Sequence, residues 1–119
     1  MSYGGILKGI TGLFTTMVLA SNASSSATTT ALLNELAISQ PSLLQRSTQT
    51  IPDMFPKAYR WVDEMREIST FVSGPMGDVH RGLASVFETV EKSVNEDGNA
   101  RQVLEKFVKD AEAVLKNTQ

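Results

Sequence analysis

Glu64 and His80 are the two side chains of this sequence best suited to moving a proton near neutral pH. Glu64 stands at the margin of an apolar stripe, three residues after Trp61 and four after Arg60. A carboxyl desolvated by such a wall is raised in pKa and can exchange protons close to neutrality. The alternative is an Arg60–Glu64 pair at i, i+4 on a helix surface, worth about 0.2–0.5 kcal/mol. Histidine is the side chain whose ordinary pKa lies near neutrality, and His80, beside another apolar stripe, can face a cleft. Its alternative is a packed, hydrogen-bonded structural role. Lys8 is the one charge in a long apolar segment, so it must either snorkel to the surface or be paired in a pocket. Tyr3 and Tyr59 can donate hydrogen bonds to a ligand or simply pack. With Arg60 and Trp61 they complete a candidate binding set of Lys8, Tyr3, Tyr59, Arg60 and Trp61, although Trp61 is also a natural core residue.

Other chemistries are excluded by what the chain lacks. It has no cysteine, which removes thiolate nucleophiles, disulfides and Cys-ligated metals. A single histidine makes a His-based zinc site improbable, and no metal is expected. No serine sits in an elbow motif of the kind that builds a Ser-His-Asp triad. Gly4, Gly5, Gly9 and Gly12 do not form GxGxxG and no strand precedes them, so they are not a phosphate-cradling loop. The net charge of −2, with both signs interspersed, gives no footprint for nucleic acid.

The elements that must position these residues are helices. Ala58, Trp61, Val62, Met65, Ile68 and Val72 recur at helical spacing, which predicts a central helix over 56–72 whose outward charges, Asp63, Arg66 and Glu67, form a solvated face. Upstream, residues 3–21 form a first helix that is apolar around much of its circumference, suited to a bundle centre or a partner subunit. Each glycine costs a helix roughly 1 kcal/mol against Ala, so the stripe Gly5, Gly9, Gly12 implies close approach by another helix or a ligand.

A Ser/Thr-rich linker over 22–30 closes the first helix and caps a second over 28–38, which presents Ala31, Leu32, Leu33 and Leu36. Pro41 starts a third helix anchored by Leu43 and Leu44, and Pro52 and Pro56 bracket a turn that exposes Met54 and Phe55. Ser73-Gly74-Pro75 is a strong break. A fifth helix carries Val79, Leu83, Val86, Phe87, Val90 and Val94. After a polar turn over 95–99, the sixth carries Val103, Leu104, Phe107, Val108, Ala111, Val114 and Leu115, with Lys116 suiting its dipole. No segment alternates with period two, so the fold class is all-α, a single domain over 1–119 of about six helices. The charged leader is too weak for a signal peptide. Glycine and threonine interrupt the only long apolar run short of the ~20 residues of a membrane span. A soluble, cytoplasmic protein with no membrane partner is expected.

Three stretches carry a resemblance. Arg60-Trp61-Val62-Asp63-Glu64-Met65-Arg66-Glu67-Ile68 is similar to the RWxxEMxEI signature in the C-terminal helical domain of phosphogluconate dehydrogenase-like proteins, within the β-hydroxyacid dehydrogenase superfamily. Tyr3-Gly4-Gly5-Ile6-Leu7-Lys8-Gly9 resembles the family's YAGxxKG opening, and His80-Arg81-Gly82 its HRGA step. Leu36-Ala37-Ile38-Ser39-Gln40-Pro41-Ser42-Leu43-Leu44 also agrees in order, so the likeness covers about 2–94.

The resemblance implies a helical bundle that follows a Rossmann domain, lines the substrate cleft and makes the dimer interface. It also implies an acid at Glu64. The family's catalytic lysine would precede Met1, and Lys8, matching the motif's second lysine, does not inherit its role.

Three functions are therefore expected to compete. The first is a free-standing domain that binds a small organic molecule in an apolar pocket, without a cofactor, and performs redox-free acid/base chemistry such as cyclisation, isomerisation or dehydration. The second is the substrate-binding and dimerisation domain of an NAD(P)-dependent β-hydroxyacid dehydrogenase. The third is a non-enzymatic assembly module. A homodimer is expected.

Overall fold

The central stripe Ala58, Trp61, Val62, Met65 and Ile68 is buried as its spacing demands, on the helix around which the others assemble. The computed structural model describes residues 1–96 and 98–117 and is all-helical. In order, the helices are α1 (Ser2–Ser24), α2 (Ser26–Ser39), α3 (Pro41–Met54), α4 (Ala58–Val72), α5 (Gly77–Asn95) and α6 (Asn99–Asn117). Asp97, in the polar turn before α6, lies outside the described residues.

Helices α4 and α5 form the most extensive pair, and α6 closes the bundle chiefly against α3. Phe87 and Phe107, both buried, tie α5 and α6 to the rest. Trp61 meets the Phe87 ring edge-on at 5.2 Å, and Phe14 meets Phe107 at 6.3 Å, both within the range where aromatic pairs attract.

Helix α1 touches every other helix, yet it is arranged inside out. Its buried positions are the small Gly5, Thr11, Gly12 and Thr15, with Val18, whereas Ile6, Leu13 and Met17 are more than half exposed and Ile10 is exposed. The glycine stripe explains this: a Cβ at Gly12 would stand 2.5 Å from Leu83 Cδ2 and 3.1 Å from Phe87 Cζ, and one at Gly5 3.3 Å from His80 Nε2. The expected close approach is thus made by α5, whose side chains occupy the space that α1 leaves. By length and composition α1 could also cross a membrane, with a mean hydropathy of 1.3 over its best window, contrary to the expectation that nothing approached a span. In the bundle it is a packing helix.

Four local expectations are corrected. The Ser/Thr linker shrinks to Ser25, which is extended (φ −173°, ψ 162°) and whose hydroxyl accepts from the Thr28 N–H at 3.0 Å. Thr30 Oγ1 donates to the Ser26 carbonyl inside α2, whereas Thr29 Oγ1 is buried without a partner among the described residues. Pro52 does not end α3, which runs on to Met54. Met54 is fully buried beneath Thr15 rather than exposed, because Leu44, Ile51 and Met54 share one helical face. Val79, placed by periodicity on the α5 stripe, is 62% exposed, since α5 has only just begun there and α1 opposes it with glycine. Within α2, Leu33 is buried while Ala31 faces solvent.

The α4–α5 corner, residues 73–76, is held by a close contact between its two helices. Ser69 Oγ donates to the Gly77 carbonyl at 2.7 Å, and a Cβ at Gly77 would lie 2.7 Å from the Ser69 carbonyl oxygen. Ser73 has φ 58°, ψ 170°, a region that strongly favours glycine, and Gly74 follows at φ 64°. Ser73→Gly should stabilise the protein by about 1 kcal/mol, read as a rise of a few degrees in Tm, and Gly77→Ala should cost about 1–3 kcal/mol through overpacking. Equal Tm values for the three proteins would contradict this account of the corner.

Candidate functional site

The Lys8 ammonium donates to Glu64 Oε2 across the α1–α4 contact. Its Nζ also lies 5.5 Å from the centroid of the Trp61 ring, within cation–π range. Both follow from the sequence. Lys8 lies one turn beyond Gly5, whose lack of a side chain lets α1 settle on Ile68 of α4, and Trp61 and Glu64 are one turn apart on that helix. Of the alternatives open to Lys8, pairing is the one realised. Glu64 takes its partner from α1 rather than from Arg60, so the i, i+4 pair expected on α4 is replaced by one 56 residues apart in sequence. With side chains 27% and 40% exposed, the pair is half-solvated, and its net contribution is in the range of about 0–1 kcal/mol.

His80 meets α1 from α5, beside Gly5 and Gly9. Its Nε2 is 3.1 Å from the Gly5 carbonyl. A carbonyl only accepts, so Nε2 carries the proton, and Nδ1 is left buried with no partner among the described residues. His80 borders a groove of about 750 Å³ whose walls are almost wholly apolar, with Ile6, Ile10, Leu13, Phe71 and Val79 prominent. Glu64 does not line this groove. The two candidate proton carriers therefore do not border this groove together, and each has a partner of its own.

The remaining candidates are dispersed. Tyr3 is 76% exposed, and Arg60 is exposed. Tyr59, also exposed, borders charged depressions with Asp63, Arg66, Glu88 and Glu91 on the α4–α5 surface. Trp61 is core, and only its contact with Lys8 links it to polar chemistry.

Sequence reasoning passed over a second group. Lys8 and Thr11 of α1, Arg46, Thr50 and Asp53 of α3, Lys57 and Trp61 line one depression of about 200 Å³. Arg46, Thr50, Asp53 and Lys57 follow one another at spacings of four, three and four, a helical stripe that was legible as such. What periodicity could not give is that α3 sets this stripe beside Lys8.

A family model described as "Domain of unknown function (DUF1932)" matches residues 23–90, more than half of the chain. The match takes in Tyr59, Arg60, Trp61, Glu64 and His80, and it leaves Tyr3 and Lys8 outside. Comparison with curated proteins and with solved structures gives no match.

The Lys8–Glu64 pair has a direct test. Glu64→Gln should destabilise by about 1 kcal/mol, mostly by leaving a part-buried ammonium unpaired, and Lys8→Met in the same chain should recover most of it. A urea double-mutant cycle checks this; a coupling energy of zero would show that the contact does nothing for stability.

Proposed function

This chain belongs to the DUF1932 family, the C-terminal helical domain of NAD-binding 6-phosphogluconate dehydrogenase-like proteins, and from that membership we propose that it is the substrate-side and dimerisation domain of a cytoplasmic NAD(P)-dependent β-hydroxyacid dehydrogenase. The observation that carries the reading is the inside-out α1. Ile6, Ile10, Leu13 and Met17 form one exposed stripe along the helix, continued at its flank by Phe71 and Val79. Leu32, Leu36 and Leu43 line a second apolar depression on its other side. Burying one such side chain yields about 1.5–3 kcal/mol, and a contiguous apolar face of this extent marks an interaction surface. A stripe on one helix is self-complementary about a two-fold axis, which is the symmetry of the commonest homo-oligomers.

The polar cluster suits the other half of the role. Lys8, Glu64 and Trp61 stand on a different face of α1 from the apolar stripe, so a covered stripe leaves them open to a substrate. The alternative of redox-free chemistry by this domain alone drew on Glu64 and His80 acting on one ligand. Glu64 is engaged by Lys8 and His80 by the Gly5 carbonyl, which favours the dehydrogenase-domain reading over it.

The dimer is checked by light scattering at tens of micromolar: the wild type should be dimeric, and Leu13→Glu should be monomeric with an unchanged helical circular dichroism spectrum. A monomeric wild type would overturn the interface. For the redox half, hydride transfer between NAD(P) and hydroxy acids, measured with the domain joined to its nucleotide-binding partner, should fall on Glu64→Gln. Dimerisation without any such activity would favour the assembly module.

A further inference from the structure

The depression lined by Lys8, Arg46 and Lys57 brings three cations together in a chain of net charge −2. Two carboxylates oppose them: Glu64, already engaged by Lys8, and Asp53 in the same wall. Among the described residues, Arg46 and Lys57 are in no ion pair, and neither are Arg60, Lys109 and Lys116, but Arg46 and Lys57 share this depression with a third cation, Lys8. Like charges held side by side repel unless an anion stands between them. The walls include the hydroxyls of Thr11 and Thr50, and the Leu7 and Trp61 side chains reduce the water available to compete.

Size narrows the occupant. Cofactor and drug-sized ligands take pockets of about 300–1,000 Å³, and this depression of about 200 Å³ holds an anionic group with a few carbons and not a nucleotide. We propose that it binds a small oxyanion, the carboxylate or phosphate end of a substrate, between Arg46, Lys57 and Lys8. In binding, the anion shares the Lys8 ammonium with Glu64, so occupancy loosens the Lys8–Glu64 pair. The identity of the anion as a substrate group rests on the dehydrogenase reading; the site itself does not.

Trp61 is the only tryptophan and lies under the Lys8 ammonium, so its emission reports on this site. Inorganic phosphate and malonate, titrated separately at constant ionic strength with calorimetry alongside, should give saturable binding of at least one of them. Arg46→Gln and Lys57→Gln should each weaken it at least tenfold at unchanged Tm, while Lys109→Gln, an exposed cation on α6, should not. Saturation by phosphate alone identifies a phosphoryl group, by malonate alone a carboxylate, and by both a general oxyanion site. No saturable heat or emission change with either anion, or equal weakening by Lys109→Gln, overturns the proposal. Anion binding that persists in a protein without hydride transfer would sink the dehydrogenase reading and leave this one standing.

Discussion

The approach of α5 to α1 across Gly5, Gly9 and Gly12 is the constraint on which the rest of the structure depends. Leu83 and Phe87 fill the volume a side chain at Gly12 would need, and His80 stands against Gly5. Because α1 yields this part of its inner face to α5, Ile6, Ile10, Leu13 and Met17 point outward, while Phe14 and Val18 stay against the core. The same settling brings Lys8 within reach of Glu64 and Trp61 on α4. An exposed apolar stripe and the Lys8–Glu64–Trp61 contact are thus two consequences of one close packing, set on different faces of a single helix.

Much of the fold was legible because its signals are local. The α4 stripe from Ala58 to Ile68, the break at Ser73-Gly74-Pro75 and the α6 pattern around Leu104 and Phe107 each follow from helical period or turn chemistry. What failed was the assumption that large apolar residues mark the inside. In α1 several of them mark the outside, and the glycine stripe, which did announce a close approach, could not say that α5 would be the helix to make it. Pro52 misled because it removes one hydrogen bond from the last turn without ending it: α3 runs on to Met54, whose buried side chain holds that turn against the core.

The site was legible only in part. That Lys8 had either to snorkel or to be paired follows from one charge in an apolar helix, and pairing is the outcome. Its partner lies 56 residues away, and neither it nor the company of Arg46 could be read from spacing within any one helix. Glu64 and His80 both edge apolar stripes, but Glu64 is taken up by Lys8 and His80 by the Gly5 carbonyl, and of the two only His80 borders the apolar groove. Periodicity assigns a residue to a face; it does not say which faces share a cavity.

The glycine content of α1 also bears on how the chain assembles. A helix with four glycines among its first twelve residues has little intrinsic stability, at roughly 1 kcal/mol lost for each, so α1 holds its shape only once docked. Its docking contacts with α5 span some seventy residues of sequence, whereas α4 and α5 meet through a short corner, and loops of that length close at a far smaller entropic cost. The α4–α5 hairpin is accordingly suited to nucleate folding, and α1 is expected to dock last and to be the first helix whose amides exchange with solvent.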